Sequence, residues 1–409
     1  MAKQGTKTAV PRLRFPEFRN RQEWVAKSLK DICTVNPSND GLPSSFAYID
    51  LESVEDGVLK SKNVIDRESA PSRAQRLLRD GDVIFQVVRP YQRNNFFFRI
   101  QDGDAYVAST GYAQLRANDS DSFLYQIIHT DPFVNRVVEK CTGSNYPAIN
   151  SSDLGEVALF APEDTDEQQK IADCLTSLDE VIAVQGRKVE ALKAHKRGLM
   201  QQLFPREGET RPHLRFPEFR DAPEWRQKLG GDLFANRKED GEEGLPIYSV
   251  TVNDGMIPRA SFDRDFYDIQ DPAKNKKACE GDIAYNMMRM WQGAQGVAVE
   301  DCLVSPAYVV LSPREGVCSA FFSYLFKLTQ SLELLTAYSR GLTKDRLRLY
   351  FDDFARMPLC VPECDEQQRI ADCLSSLDTQ IAAEASQLAV LKAHKQGLMQ
   401  QLFPAPEAA

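Results

Sequence analysis

The sequence predicts an α+β protein with an internal pseudo-twofold repeat, in which two globular domains are separated by two long helices that form an antiparallel coiled coil. Two observations lead to this fold class. Residues 165–205 return near the C-terminus as residues 364–404 at a constant shift of 199 residues, and Leu13–Arg19 returns as Leu214–Arg220. Such self-similarity indicates a duplicated structural unit, and two like halves can fold around a twofold axis within one chain.

The repeats divide the chain of 409 residues into five segments. A chain of this length can form two domains, each with its own core. The predicted boundaries are a flexible leader at 1–11, a first globular domain at 12–162, a central helical spacer at 163–212, a second globular domain at 213–362 and a C-terminal helical spacer at 363–409.

Each duplicated segment reads as one long helix that ends at Pro205 or Pro404, because proline cannot continue a helix. Apolar residues recur in steps of four and three for about five heptads, which is typical of a coiled coil. The alternative is a plain amphipathic helix lying on its own domain. The seam consists of Ile171, Leu175, Leu178, Ile182, Val189, Leu192, Leu199 and Leu203 in the first copy, and Ile370, Leu374, Leu377, Ile381, Leu388, Leu391, Leu398 and Leu402 in the second.

Polar and small residues interrupt the helical pattern at equivalent places. Lys196 and Lys395 stand in the seam, where a polar residue costs stability but fixes register and partner. Gly198 and Gly397 each cost about 1 kcal/mol relative to alanine. We therefore expect close backbone approach there, either to the other helix or to another subunit. The spacing of Asp166 and Gln169 predicts a capping box at the helix start.

Each globular block mixes short β-rich runs with helical runs, and each contains a Gly-Asp strand followed by a polar, aromatic and basic loop. Arginine can bind guanine edges, and asparagine or glutamine adenine edges. The alternative is an ordinary solvated loop. The candidate DNA-contacting residues are Arg89, Tyr91, Gln92, Arg93, Asn94 and Asn95 in the first block, and Asn286, Arg289, Trp291, Gln292 and Gln295 in the second.

A further polar stretch follows each loop. Ser144, Asn145 and Tyr146 in the first block match Leu342, Thr343 and Lys344 in the second by position. Ser144, Asn145, Tyr146 and Lys344 are further candidates for DNA contact. The alternative is a simple turn that connects two helices, which the composition favours.

The charge pattern limits how the chain can bind nucleic acid. The net charge is −9, and the two helical repeats, with 16 acidic and 10 basic residues, account for six of these charges. DNA contact must then come from local basic patches, or a partner must supply most of the phosphate contacts.

Signatures of catalysis are absent from the sequence. There is no phosphate-binding Gly-x-x-x-x-Gly-Lys motif, no dinucleotide fingerprint, and no metal-ligand spacing among the four histidines. We therefore predict no catalytic residue, no metal and no cofactor. No apolar stretch reaches the roughly 18 residues of a membrane span. Nine cysteines without a compact spacing framework indicate reduced thiols in a cytoplasm.

The chain resembles the DNA specificity (S) subunits of type I restriction-modification enzymes over nearly its whole length. The resemblance rests on the two LRFPEF openings followed by tryptophan, the two Gly-Asp strands and the two DEQQ(K/R)IADCL…LKAHK(R/Q)GLMQQLFP helices. It implies that each globular domain is a target recognition domain that reads one half of a bipartite site in double-stranded DNA through the major groove. It also implies that the coiled coil sets the unread gap between the half-sites.

The same resemblance implies partners. Two methyltransferase (M) subunits would dock on the helices and methylate adenine with S-adenosylmethionine, and restriction/translocase (R) subunits would add ATP-driven translocation and cleavage. Because the two domains differ in sequence, we expect unlike half-sites. Two other classes stay open from the residues alone, namely a stand-alone bipartite DNA-binding regulator and a coiled-coil scaffold unrelated to DNA.

Overall fold

A computed structural model of the protein describes residues 7–262 and 272–404. Contacts divide the chain into two compact units, which are residues 1–186 with 386–409, and residues 187–385. The unit boundary falls inside both long helices, so each helix contributes one half to each unit. Parts of the predicted leader, second domain and C-terminal spacer (residues 1–6, 263–271 and 405–409) lie outside the described residues.

The first unit is a mixed structure of short strands and helices. Its helices are α1 (Leu29–Ile32), α2 (Asp121–Ile127), α3 (Asp131–Glu139), α4 (Ser151–Gly155) and the first half of α5 (Thr165–Leu203). Its strands are β1 (Thr8–Ala9), β2 (Trp24–Ser28), β3 (Cys33–Val35), β4 (Ser45–Ile49), β5 (Val54–Glu55), β6 (Val58–Leu59), β7 (Val64–Asp66), β8 (Ala74–Leu77), β9 (Val83–Gln86), β10 (Phe96–Phe97), β11 (Tyr106–Ser109), β12 (Tyr112–Ala117) and β13 (Ala158–Ala161).

The strands of the first unit form three main sheets, ordered β1-β2-β13, β10-β9-β12-β3 and β7-β4-β11-β8. All pairings in them are antiparallel except β4 with β11. The flexible-leader prediction needs correction at Thr8–Ala9, because this segment pairs with Val25 and Trp24 and extends a sheet.

The second unit repeats one of these four-stranded sheets although little of its sequence matches. Its four-stranded sheet is ordered β20-β19-β22-β15, which corresponds to β10-β9-β12-β3. Its helices are α6 (Gly230–Leu233), α7 (Ser319–Leu325), α8 (Thr329–Ala337), α9 (Phe351–Phe354) and part of α10 (Cys364–Leu402). Its strands are β14 (Arg226–Leu229), β15 (Phe234–Arg237), β16 (Tyr248–Val250), β17 (Met256–Pro258), β18 (Lys276–Ala278), β19 (Ile283–Asn286), β20 (Gln295–Val297), β21 (Cys302–Val304), β22 (Tyr308–Pro313) and β23 (Pro358–Val361).

The duplicated Gly-Asp elements directly precede β9 and β19, which are inner strands of the two corresponding four-stranded sheets. Gly81 has a φ of 86°, a conformation that costs glycine nothing, and the carboxylate of the next residue, Asp82, is fully buried. Arg116 donates to Asp82 from two nitrogens at 2.8 Å. In the second unit Arg237 pairs with Asp282 at 2.6 Å in the same way. A buried carboxylate needs such a partner, so these elements support the sheets.

The long helices pair antiparallel within each unit, which confirms the predicted coiled coil. In the first unit Lys395 Nζ donates to both carboxylate oxygens of Asp179 at 2.6 and 2.7 Å. In the second, Lys196 Nζ donates to Asp378 at 2.5 Å and Lys188 pairs with Glu384 at 2.5 Å. The paired positions increase along α5, from 179 to 188 and 196, and decrease along α10, from 395 to 384 and 378. The seam lysines therefore fix register, since a slipped pairing would separate the charges.

A buried ion pair ties the opening of each half to the start of its long helix. Arg14 donates from Nε and from a terminal nitrogen to Glu167, both at 2.7 Å, and Arg215 does the same to Glu366 at 2.7 and 2.6 Å. The hydrogen bonds to these carboxylates raise the pKa of both arginines. Each LRFPEF motif and each DEQQ motif thus supply two sides of one contact, which explains why both recur together.

The ends of the long helices complete the cores. In the first unit Phe403 packs edge-to-face on Trp24 with ring centroids 5.9 Å apart, and in the second Phe204 packs on Trp225 at 6.0 Å. Seam residues at the helix starts, such as Ile171 and Leu175, are buried in the same core as Phe403. Each unit is thus closed by the start of one long helix and the end of the other.

The structure bears on two local expectations at the long helices. An added Cβ at Gly198 or Gly397 would meet no atom within 4 Å in the described chain, so the expected close approach is not to the other helix, and approach to another subunit stays a prediction. The predicted capping box does not form. Gln169 donates to Asp173, one turn onward, and the backbone N–H of Asp166 is accepted by Asp164, which precedes the helix.

Candidate nucleic-acid interface

In the first unit the candidate residues lie on a strained loop after β9. Arg89 and Arg93 flank a short turn at Pro90–Gln92, and both have left-handed backbone angles, with φ of 54° and 56°. A non-glycine residue pays about 1–2 kcal/mol for this conformation, which persists only where surrounding contacts impose it. Strain of this kind clusters at functional sites.

Two of the candidates hold the loop in place from inside. Arg93 donates to Asp131 at 2.6 Å and to the carbonyl of His129 at 3.1 Å, which ties the loop to the start of α3. Asn95 is buried, accepts the N–H of Gln86 at 2.8 Å and lies 3.2 Å from His129 Nε2. Burial lowers the pKa of His129 to about 4, so the ring is neutral at physiological pH. These residues hold the loop in place from within and do not form its outer surface.

The outer surface of the loop is formed by other candidates. Tyr91 and Gln92 are exposed, and Asn94 is half-buried with its N–H donated to Gln86. The stretch containing Ser144, Asn145 and Tyr146 is exposed and forms the tip of a hairpin closed by the Thr142–Ala148 bridge.

Arg89 joins this hairpin to the loop. Its guanidinium stacks over the Tyr146 ring at 4.4 Å, and its backbone N–H donates to the carbonyl of Pro147 at 2.7 Å. Its buried Nε finds no hydrogen-bond acceptor within residues 7–262 and 272–404. The structure thus brings together two stretches that are about fifty residues apart in sequence, 86–95 and 144–146.

The second unit places its candidates in the equivalent loop after β19. Arg289 and Gln292 are exposed. Trp291 is half-buried and its indole N–H donates to the carbonyl of Met288 at 3.0 Å. Asn286 accepts the N–H of the same methionine at 3.0 Å. Gln295 is buried and donates to the carbonyl of Ser323 at 2.8 Å, so it supports the loop as Asn95 does in the first unit.

A hairpin also lies beside this loop, closed by reciprocal backbone hydrogen bonds of 2.9 Å between Arg340 and Arg348. Lys344 is exposed on it, and the Leu349 N–H donates to the carbonyl of Met287 in the loop at 3.0 Å. The two elements border an open groove of about 780 Å³. Its lining residues are Met288, Arg340, Gly341, Asp345, Arg346, Arg348, Tyr350 and Asp352.

Sequence reasoning missed the arginines of this groove. Arg346 and Arg348 are exposed, and they make no ion pair with any residue that the structure describes. Their signal was present, since the run from Arg340 to Arg348 holds four basic residues and one acidic residue. Such a run between two helical segments is also typical of a connecting turn, so its composition alone does not mark it as a binding surface.

Metal clusters and membrane-spanning helices are not found in the described part of the chain. No group of three or more His, Cys, Asp or Glu side chains there is arranged to hold a metal ion. None of the helices in residues 7–262 and 272–404 combines the length and apolar character needed to cross a bilayer.

The fold and the two surfaces define an internally duplicated α+β protein that presents one loop-and-hairpin surface in each half. A family model of the type I restriction modification DNA specificity domain matches residues 21–194 and 235–393, and the chain belongs to this family. Over 173 residues it is 24% identical to the type I restriction enzyme HindI specificity subunit of Haemophilus influenzae. That alignment covers 41% of this chain and 34% of the relative, so it spans about a third of the relative's length.

Solved structures resemble the chain over almost its full length. The crystal structure of the type I restriction-modification S subunit from M. genitalium aligns with a TM-score of 0.59 at 15% identity, covering 97% of this chain and 99% of that one. A chain from a structure on complex assembly and conformational transition of a type I R-M system aligns with a TM-score of 0.54 at 23% identity, covering 93% and 97%. At such identities the likeness supports the fold alone.

Proposed function

We propose that this chain is the sequence-reading subunit of a type I restriction-modification complex, in which each globular domain reads one half of an asymmetric bipartite DNA target. The observation that carries the proposal is that the two units share a sheet topology but differ in the residues they expose next to it. Both units keep the same strand order around β9 and β19, yet the exposed residues of the adjoining hairpins differ, with Ser144–Tyr146 in the first unit and Leu342–Lys344 in the second. One scaffold with two different surfaces suits two unlike half-sites.

The exposed candidates and the half-buried Arg89 are assigned to base contact. In the first domain Gln92 is exposed, and Arg89, although half-buried, lies against the exposed Tyr146 ring, so the two offer the groups that bind adenine and guanine edges. In the second domain Arg289 and Gln292, both exposed, offer the same groups. Exposed residues nearby, including Tyr91, Ser144, Asn145, Tyr146 and Lys344, extend each surface. Arg93, Asn95 and Gln295, which bond internally, and Asn94, Asn286 and Trp291, which are half-buried, position the loops.

The long helices are assigned to spacing and to partner docking. We place the two half-sites at a separation set by helices of 39 residues each. Two M subunits supply adenine methylation, R subunits supply translocation and cleavage, and this chain is non-catalytic and acts on cytoplasmic DNA. The acidic balance of the helices fits partners that make most of the phosphate contacts.

A duplicated surface on the helices supports two copies of one partner. The middle of the helices has diverged, but their last three turns are almost identical, including residues that point to solvent. Exposed identical pairs are Lys193 and Lys392, His195 and His394, Gln201 and Gln400, and Gln202 and Gln401. Packing within the chain does not require exposed residues to match, whereas binding the same partner twice does.

The reading assignment is tested with Arg89→Ala and Arg289→Ala in the complex assembled with its M subunits. Each loss should relax discrimination at one base pair by about 5- to 150-fold, since a good bidentate contact is worth about 1–3 kcal/mol. Arg89→Ala should affect one half-site and Arg289→Ala the other. Genome-wide mapping of methylated adenines measures both. Arg226→Ala, an exposed arginine outside both loops, is the control. A complex whose methylated sequences are the same in all variants would contradict the assignment.

The docking assignment is tested at Gly198 and Gly397, which face open space in this chain. Replacing both with leucine should raise helix stability by nearly 1 kcal/mol per site, because glycine is a poor helix former. The same change should weaken binding of M subunits at least tenfold if a partner backbone approaches there. Gly186→Leu, at a helical glycine that lacks a counterpart in the other copy, is the control. Unchanged binding by the double variant would refute close docking at these turns.

A further inference from the structure

Leu342 is the most exposed large apolar side chain in the described part of the protein, with 98% of its surface in contact with solvent. It lies in the hairpin that runs from Arg340 to Arg348, just before the turn at Lys344–Arg346. Single exposed apolar residues are common on protein surfaces and carry no meaning alone. Whether Leu342 contributes to binding depends on the residues that surround it.

The hairpin holds Leu342 on a built turn. Reciprocal backbone hydrogen bonds close its base between Arg340 and Arg348, and Leu347 next to the base is buried. A Cβ on Gly341 would come within 2.5 Å of the carbonyl oxygen of Arg346, so only glycine permits this crossing of the chain. The leucine is thus presented outward on a defined scaffold, which lowers the entropy that it would lose on binding.

The rim around Leu342 is cationic. Lys344, Arg346 and Arg348 are exposed, and in residues 7–262 and 272–404 none of them forms an ion pair. Arg346 and Arg348 line the groove of about 780 Å³, whose lining also includes Asp345 and Asp352. An exposed apolar side chain among these cations fits a polyanion that carries apolar groups of its own. The major groove of DNA matches this description, and the apolar group that it displays is the 5-methyl group of thymine.

The equivalent hairpin of the first unit repeats the arrangement with different residues. There Tyr146 is 66% exposed at the tip, and the guanidinium of Arg89 lies 4.4 Å from its ring. By position Leu342 corresponds to Ser144 and Tyr146 to Lys344, so the two hairpins carry their large apolar group at different places. In both domains, however, the hairpin beside the reading loop presents one large exposed apolar side chain.

We propose that Leu342 reads a thymine in the half-site of the second domain by contact with its 5-methyl group. The inference rests on the proposed function, because it needs the second domain to face a DNA groove. It adds an apolar, shape-based contact to the polar contacts assigned to Arg289 and Gln292, and it names the base that this contact recognises.

Uracil tests this contact, because it keeps every hydrogen-bonding group of thymine and lacks only the methyl group. The assembled complex with M subunits selects from a randomised duplex library prepared once with thymine and once with uracil. For the wild type, preference at one position of the second half-site should fall about fourfold in the uracil library, the value of one buried methyl group. Leu342→Ala should lose a similar preference on thymine DNA and show no further loss on uracil DNA.

Val299→Ala removes an exposed apolar side chain elsewhere in the same unit and should respond to uracil as the wild type does. The proposal is overturned if uracil weakens the wild type and Leu342→Ala equally, or affects neither. It is also overturned if Leu342→Ala lowers affinity without changing base preference, as a wedge between base pairs would. If no sequence is selected from the thymine library by any variant, the proposed function itself fails and this inference fails with it.

Discussion

Replacing Glu167 with alanine is expected to destabilise the first unit by about 3–5 kcal/mol, the usual cost of leaving one partner of a buried ion pair without the other. Glu167 is almost fully buried and accepts two hydrogen bonds of 2.7 Å from Arg14 and one of 3.1 Å from the indole N–H of Trp24. Its removal leaves a guanidinium and an indole N–H without their acceptor. Hydrogen exchange of peptides from residues 12–162, followed against urea, measures the loss.

The second unit supplies a matched comparison. Glu366 accepts the same two bonds from Arg215, but the buried indole N–H of Trp225 has no acceptor within the described chain. Glu366→Ala should therefore destabilise the second unit by about 1 kcal/mol less than Glu167→Ala destabilises the first. Glu218→Ala, which breaks an exposed pair with Arg369, should leave both units unchanged. If Glu167→Ala and Glu366→Ala lowered the free energy of unfolding as little as Glu218→Ala does, the buried ion pairs would not be what holds the starts of the long helices in place.

Regular features of the fold followed from the sequence because their signal is local and periodic. The heptad seam required only the spacing of residues such as Ile171 and Leu175, and the stop at Pro205 required only the missing N–H of proline. Antiparallel pairing followed from the order of the repeats along the chain. The seam lysines were expected to fix register, and Lys395 does so through Asp179.

Long-range partners could not be predicted from the same signals. Nothing in the spacing of LRFPEF says that Arg14 meets Glu167, since the two lie 153 positions apart. Whether the Cβ position of Gly198 meets another atom depends on what packs around the helix, which the helix's own residues do not determine.

The candidate site was predictable as stretches of sequence but not as a surface. Composition marked both loops, but Arg93 and Asn95 bond inward whereas Tyr91, on the same loop, faces solvent. Orientation on an irregular loop depends on backbone angles such as the left-handed φ of Arg89, which no periodicity encodes. Arg346 was missed for a related reason, because only the folded hairpin brings it beside the loop.

The second large effect is expected from Phe403→Ala, near the end of the chain. The ring of Phe403 is buried and packs 5.9 Å from Trp24 and 5.8 Å from Phe123, so truncation removes a large apolar group and leaves a cavity. Such a change costs about 3–5 kcal/mol. The loss should fall on the first unit, and hydrogen exchange should rise in peptides from residues 12–162 with little change in 213–362.

Phe204→Ala should produce the converse pattern, because Phe204 packs 6.0 Å from Trp225 and 5.2 Å from Phe321 in the second unit. Gln401→Ala, at an exposed position on the last turn, should alter neither unit. If Phe403→Ala loosened the second unit as much as the first, the division of each helix between two cores would be wrong. The selective outcome carries a consequence for folding. The core of the first unit then cannot be completed before Phe403 is synthesised, because Trp24 packs against that ring. Closing a loop of this length also has an entropic cost.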